Sequence, residues 1–243
     1  MPPSPLTHFL CVPLVTRASR HQLSTTLSAF SADVTSPDSF AVPDKAIRPL
    51  GTLHLTIGVM SFPKDEGLEK AVALLKTQVP KAVLANVKVA EATPATSDSA
   101  REPDGKTKEP CGLPPLFVTL KGLKSMQTVS KTSVLYTSPV DGEGTLQRLC
   151  KNLQSIFEEA GLMVPDSRPL LLHATIMNTI YIKGRHRKGG KLTIDARGIL
   201  DRYDDYVWME DVPVEKIAIC KMGAKKQDDG DEAYEVEAEI DLI

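Results

Sequence analysis

Long apolar runs are missing from this chain of 243 residues. None approaches the roughly 20 residues that a membrane-spanning helix needs, so no membrane association is expected. The segment "FLCVPLV" (9–15) is too short for a signal core and lacks the basic residues that precede one. Arg17, Arg20 and the serines around them leave only a trace of a transit peptide, and "HFLCVPL" reads better as a first strand. Cysteine is scarce: Cys11, Cys111, Cys150 and Cys220 stand far apart with no C-x-x-C pair. That argues against a disulfide framework or a zinc scaffold, and for a reduced intracellular protein, cytoplasmic or nuclear. A strong net charge is also missing, at −2, which argues against bulk coating of nucleic acid but leaves room for a small basic groove. What remains is ordinary for a globular chain, with 42% hydrophobic and 25% charged residues. The length allows one large domain or two small lobes, with a core that needs no staples.

Strands and helices alternate. "THFLCVPL" (7–14) reads as a strand and "HQLSTTLSAFSADV" (21–34) as a weak helix. "PLGTLHLTIGVMSF" (49–62) reads as a strand ended by Pro63. A helix over 66–79 places Leu68, Ala71, Val72, Leu75 and Val79 on one face. Residues 91–115, rich in Pro, Ser, Thr and charge, read as an exposed, disordered insertion. Strands follow at 116–123 and 132–140. The clearest helix covers 143–162, with Leu146, Leu149, Leu153, Ile156, Phe157 and Ala160 in line and Gly161 at the C-cap. "RPLLLHATIMNTIYI" (168–182) is strand-like again. A short helix around 199–206 and strands in "VEKIAICKM" and "EAYEVEAEIDLI" complete the order. An α+β fold with a mostly antiparallel sheet in two similar lobes, spanning 1–243 as a single domain, fits this order.

Histidine is scarce as well, with five in the chain, yet two of them stand in one context. Leu53-His54-Leu55-Thr56-Ile57 and Leu172-His173-Ala174-Thr175-Ile176 both read L-H-x-T-I, an internal repeat. On a strand, side chains alternate between faces, so each His shares a face with its Thr while the flanking apolar residues point into the core. Two lobes related by a pseudo-twofold axis bring both His/Thr pairs to one cleft. Two imidazoles and two hydroxyls suit metal-free hydrolysis of a phosphodiester. One imidazole takes the proton of the attacking hydroxyl and the other protonates the leaving oxygen, while the threonines hold non-bridging oxygens. Metal ligation is the rival reading. Two histidines are too few ligands, and no acidic residue stands at a recurring spacing from both.

These motifs resemble the two-histidine (2H) phosphoesterase superfamily, marked by paired H-x-[ST] motifs on equivalent strands. Within it the chain is most similar to the LigT-like phosphoesterase domain shared by A-kinase anchor protein 7 and activating signal cointegrator 1 complex subunit 1. The likeness runs from "HFLCVPL" through "RPLGTLHLTIGVM" and "LLHATIMNT" to "GILDRYDDYV…VEKIAICKMGAKKQ…YEVEAEIDL". It implies two pseudo-symmetric lobes, each an antiparallel sheet with helices on its outer face, around a central cleft. It implies cleavage of 2′,3′-cyclic phosphates or 2′,5′ linkages of RNA or oligonucleotides without a metal or other cofactor. His54 and His173 become the catalytic pair, and Thr56 and Thr175 the phosphate holders. RNA ends, oligonucleotides or nucleotides are the implied ligands, and a monomer is expected. Two further readings stay open: an AMP-like nucleotide-binding module without turnover, and a subunit of a nuclear transcription or repair complex. No two glycines lie three apart, so the G-x-x-G clamp of a KH RNA-binding domain is missing. The alternating "YEVEAEIDLI" leaves no kinase-tethering helix. "KGRHRKGGK" (183–191) is read as a solvated loop, as a guide for a nucleic-acid phosphate or as a nuclear-targeting stretch. Tyr181 shares the parity of His173 but stands further along, towards the end of the cleft, and Tyr203, Tyr206 and Trp208 read equally as packing or as stacking residues, so none of these enters the candidate site.

Overall fold

The computed structural model describes residues 5–91, 116–182 and 192–242. The insertion expected at 91–115 therefore lies outside the described residues except for Glu91, and so does the basic segment 183–191.

Two antiparallel four-stranded sheets form the frame. The first takes β1 (His8–Pro13), β2 (His54–Met60), β7 (Lys216–Lys221) and β10 (Val236–Asp241) in the order β10-β7-β1-β2. The second takes β3 (Phe117–Ser125), β4 (Val134–Val140), β5 (Ala174–Asn178) and β6 (Val207–Pro213) in the order β5-β4-β3-β6. The hydrophobic run Phe9–Val12 is buried throughout, as befits a central strand. β8 (Lys225–Lys226) and β9 (Glu232–Ala233) form a small hairpin.

The lobes exchange helices. α1 (Arg20–Thr35) follows β1, yet it packs on β6 of the other sheet. There the Thr26 hydroxyl donates to the Trp208 carbonyl (2.8 Å), and the Tyr206 hydroxyl donates to the Thr26 carbonyl (3.0 Å). α3 (Thr145–Glu159) follows β4 and packs on β2 of the first sheet and on α2 (Leu68–Glu91). Its buried Leu146, Leu149, Leu153 and Phe157 recur at three- and four-residue steps, as one helix face requires. Gly161 ends it in the left-handed region (φ 69°). The Leu162 N–H reaches the Phe157 carbonyl (3.0 Å) and the Gly161 N–H the Glu158 carbonyl (2.9 Å), the paired bonds of a Schellman end. One hydrophobic core runs through both lobes, with Trp208, Phe30 and Phe157 fully buried in it. Each such phenylalanine contributes about 1.5–3 kcal/mol by leaving water.

Several boundaries differ from expectation. The strand expected from Pro49 begins only at His54, because residues 50–52 close a 3₁₀ turn in which the Thr52 N–H and hydroxyl both donate to the Pro49 carbonyl. The second histidine strand shrinks to Ala174–Asn178, and Asn178 caps a following 3₁₀ turn by accepting from the Ile180 N–H (3.0 Å). The helix expected to stop at Val79 continues to Glu91 through Pro80. Proline removes one helical bond there, but the buried stripe of Leu75, Val79 and Ala82 carries on across it. The helix expected around 199–206 is α4 (Arg197–Arg202). β6 was not foreseen, since Asp211, held at φ 53°, breaks the alternation of its apolar residues.

Candidate active site

β2 and β5 are the edge strands of their sheets, and they meet. The Arg48 N–H donates to the Ile176 carbonyl (2.9 Å), and an antiparallel bridge joins Ile47 to Met177. Strand parity then sets the side chains. Leu53, Leu55 and Ile57 are buried in the core on one side, as are Leu172, Ala174 and Ile176 on the other. His54, Thr56, His173 and Thr175 all turn the opposite way and line one cavity of about 70 Å³.

The two imidazoles are held alike. His54 Nδ1 lies 2.8 Å from the Thr52 carbonyl, and His173 Nδ1 lies 2.9 Å from the Leu171 carbonyl. A carbonyl only accepts, so each Nδ1 carries the proton and each Nε2 of the neutral ring is left as a lone-pair site. An aromatic ring on the neighbouring strand backs each imidazole, Phe9 at 4.7 Å from His54 and Tyr136 at 5.3 Å from His173. Neither Thr56 nor Thr175 spends its hydroxyl on a protein partner among the described residues.

The surroundings differ. Tyr234, from the segment between β9 and β10, covers His54 edge-on at 5.3 Å. It gets there because Gly51 lets that segment close in: the Gly51 N–H donates to Asp231 Oδ2 (2.9 Å), and a Cβ at position 51 would stand 2.6 Å from the Glu232 carbonyl oxygen. Burial, joined by the charges of Arg48 and His173, pushes His54 down to about 4, against the raising effect of its bond to Thr52. His54 is thus neutral near pH 7. Larger cavities of about 410 and 240 Å³ adjoin on the face of the first sheet, both touching Phe9, His54 and Tyr234. No Asp or Glu lines the central cavity. Among the described residues no group of three or more His, Cys, Asp or Glu gathers as a metal site, and no helix is long and apolar enough to cross a membrane. Cys11, Cys150 and Cys220 are free and buried, and Cys111 lies outside the described residues.

The model of the AKAP7 2′5′ RNA ligase-like domain matches residues 6–242. The chain belongs to that family. An uncharacterised protein of Schizosaccharomyces pombe is 27% identical over 236 residues, covering 97% of this chain and 95% of its own length. In fold, this AKAP7-type 2′5′ RNA ligase-like domain is similar to Escherichia coli LigT, solved in complex with 3′-AMP. The TM-score is 0.53 at 16% identity, over 98% of this chain and 99% of that one. A second solved structure, a phosphoesterase, matches over the same shares at TM-score 0.50 and 16% identity.

Sequence reasoning left out five cavity residues of this AKAP7-type domain: Thr52 and Asn178, and the larger Arg48, Tyr181 and Tyr234. A signal for Arg48 existed, since "RPL" precedes both histidines, at Arg48 and at Arg168. The spacing to the histidine differs by one residue, however, and only Arg48 reaches the cavity. Arg168 is exposed and forks onto Asp166. Tyr181 had the right parity, and in the structure it does line the cavity. Tyr234 carried no sequence signal.

Proposed function

We propose that this protein is a metal-independent phosphodiesterase acting on nucleotide 2′,3′-cyclic phosphates or on 2′,5′-linked RNA and oligonucleotides. The observation that carries the reading is the convergence of both H-x-T pairs on one small cavity without carboxylates, each imidazole oriented by a backbone carbonyl. The complex of LigT with 3′-AMP supports a nucleotide as the ligand class.

The cavity has the volume of about two waters, which suits a phosphoryl group and not a nucleoside. The adjoining larger cavities offer room for the nucleoside. His54, neutral in the resting site, accepts the proton of a water at Nε2 as the water oxygen bonds to phosphorus. His173 acts as the imidazolium, with Nδ1–H kept on the Leu171 carbonyl, and donates its second proton from Nε2 to the leaving oxygen as the phosphorus–oxygen bond breaks. Thr56 and Thr175 donate hydrogen bonds to the non-bridging oxygens, where charge gathers. The likeness of the two halves lets the imidazoles exchange roles in the reverse direction.

The test is incubation with defined 2′,3′-cyclic, 2′,5′ and 3′,5′ substrates in EDTA, with products resolved. Turnover of the first or second class in EDTA is the expected result. Turnover that EDTA abolishes and a divalent cation restores would contradict the mechanism. Binding of AMP with no turnover of any substrate would favour the nucleotide-binding module.

A further inference from the structure

We propose that Arg48 is the residue that takes up the charge of the substrate phosphate, with Tyr181 and Tyr234 holding its guanidinium in place; this rests on the phosphodiesterase reading. Arg48 is only 6% exposed and lines the cavity beside both histidines. Its Cζ lies 4.0 Å over the Tyr181 ring, and its Nη2 donates to the Tyr234 hydroxyl at 3.3 Å. Both partners are neutral. Among the described residues no carboxylate pairs with it, and none lines the cavity. The contrast with the surface is sharp: Arg168, Arg197 and Arg202 each close on an aspartate although all three are exposed.

A buried cation without an anion is costly. A fold keeps one where an anion comes and goes. The guanidinium has five donors in a planar fork, and the bond to Tyr234 uses one of them. The remainder, with two threonine hydroxyls, match the oxygens of a tetrahedral phosphodiester. The face of Tyr181 restrains the fork by cation–π attraction without neutralising it. The partners come from both lobes: Tyr181 follows β5, and Tyr234 precedes β10. Arg48 itself is tied across by its N–H to Ile176. The guanidinium is thus pre-positioned before substrate arrives.

Two consequences follow for the reaction. As water bonds to phosphorus, the diester monoanion becomes more negative on its non-bridging oxygens. A fixed cation in a low-dielectric cavity stabilises that state more than the ground state. Arg48 also faces His54, along with His173 just before β5 and Tyr234 above; Arg17, Glu215, Lys216 and Glu239 line the larger cavity on the far side. A bound phosphate offsets the Arg48 charge and raises the proton affinity of His54. The base therefore gains strength when substrate is in place.

The experiment compares wild type with Arg48→Met and Arg48→Lys. Calorimetric binding of 3′-AMP and of inorganic phosphate is read first, since it needs no turnover. NMR titration of the His54 ring, with and without phosphate, follows. Arg48→Met is expected to weaken 3′-AMP binding about tenfold or more, and to lower kcat by roughly 10²–10³ on the substrate found. Arg48→Lys, which keeps the charge but not the fork, is expected to fall between. Phosphate should raise the titration midpoint of His54 in wild type and leave it unmoved in Arg48→Met. Should Arg48→Met fail to fold, Arg48→Lys with its weakened binding carries the same test. A folded variant of either kind that binds phosphate and 3′-AMP as wild type does overturns the assignment. Arg48-dependent binding by a protein that cleaves none of the substrates would uphold Arg48 and sink the phosphodiesterase reading.

Discussion

The two histidine strands share a five-residue pattern, a backbone tether for each imidazole and a place at a sheet edge, yet they are not equivalent. His54 lies under Tyr234, against Phe9 and beside Arg48. Among the described residues the ring contact of His173 is Tyr136, and no second aromatic covers it as Tyr234 covers His54. The repeat supplies two interchangeable groups, and the non-repeated parts of the chain give them different surroundings. Enclosure holds His54 neutral at rest, which fits it to receive the first proton.

The largest effect should come from removing either member of the pair. His54→Ala and His173→Ala are each expected to lower kcat/KM by about 10²–10⁴ on a confirmed substrate. The double variant should fall much less than the product of the two, since the groups act as a unit. Full multiplicativity would break the comparison by showing independent sites.

Acid stability separates the two strands next. An ordinary histidine takes up its proton below about 6.5, but His54 does so in the fold only below about 4. Between those values the unfolded chain binds a proton that the folded chain does not, so stability falls as pH drops through the window. This group alone should cost about 3 kcal/mol by pH 4. Urea unfolding at pH 7 and pH 4 should show that loss shrinking in His54→Gln and persisting in His173→Gln.

Gly51→Ala probes the cover. Its Cβ would meet the Glu232 carbonyl, and overpacking of this kind costs about 2 kcal/mol. Displacing Tyr234 should also move the His54 midpoint upward, towards that of an open histidine. An unchanged midpoint in NMR titration would place the cause of enclosure elsewhere. The smallest effects are expected for Thr56→Ala and Thr175→Ala, each about 1.5 kcal/mol in kcat/KM, the low end for a neutral hydroxyl bonded to a charged group.

Much of this was legible in the sequence because period-2 alternation and a repeat are local signals. L-H-x-T-I gave the inward-facing pairs, and the face of α3 was plain from Leu146 to Phe157. The limits are equally physical. β6 hid because Asp211 adopts a left-handed conformation and the pairing with β3 shifts register. Arg48 and Arg168 share a motif, and a one-residue difference in spacing sends one inward and the other to Asp166. Tyr234 reaches His54 from the far end of the chain, through an approach that only the missing side chain of Gly51 permits. Such distant pairings leave no periodic trace.

The central claim is proton transfer by these two imidazoles to and from a phosphodiester, and chemical rescue tests it most directly. His54→Ala and His173→Ala are assayed in EDTA, with increasing imidazole, across pH. The account predicts that the lost rate returns in proportion to free-base imidazole in His54→Ala and to imidazolium in His173→Ala. A substrate cleaved in EDTA at the wild-type rate by either variant, with no imidazole present, would contradict it.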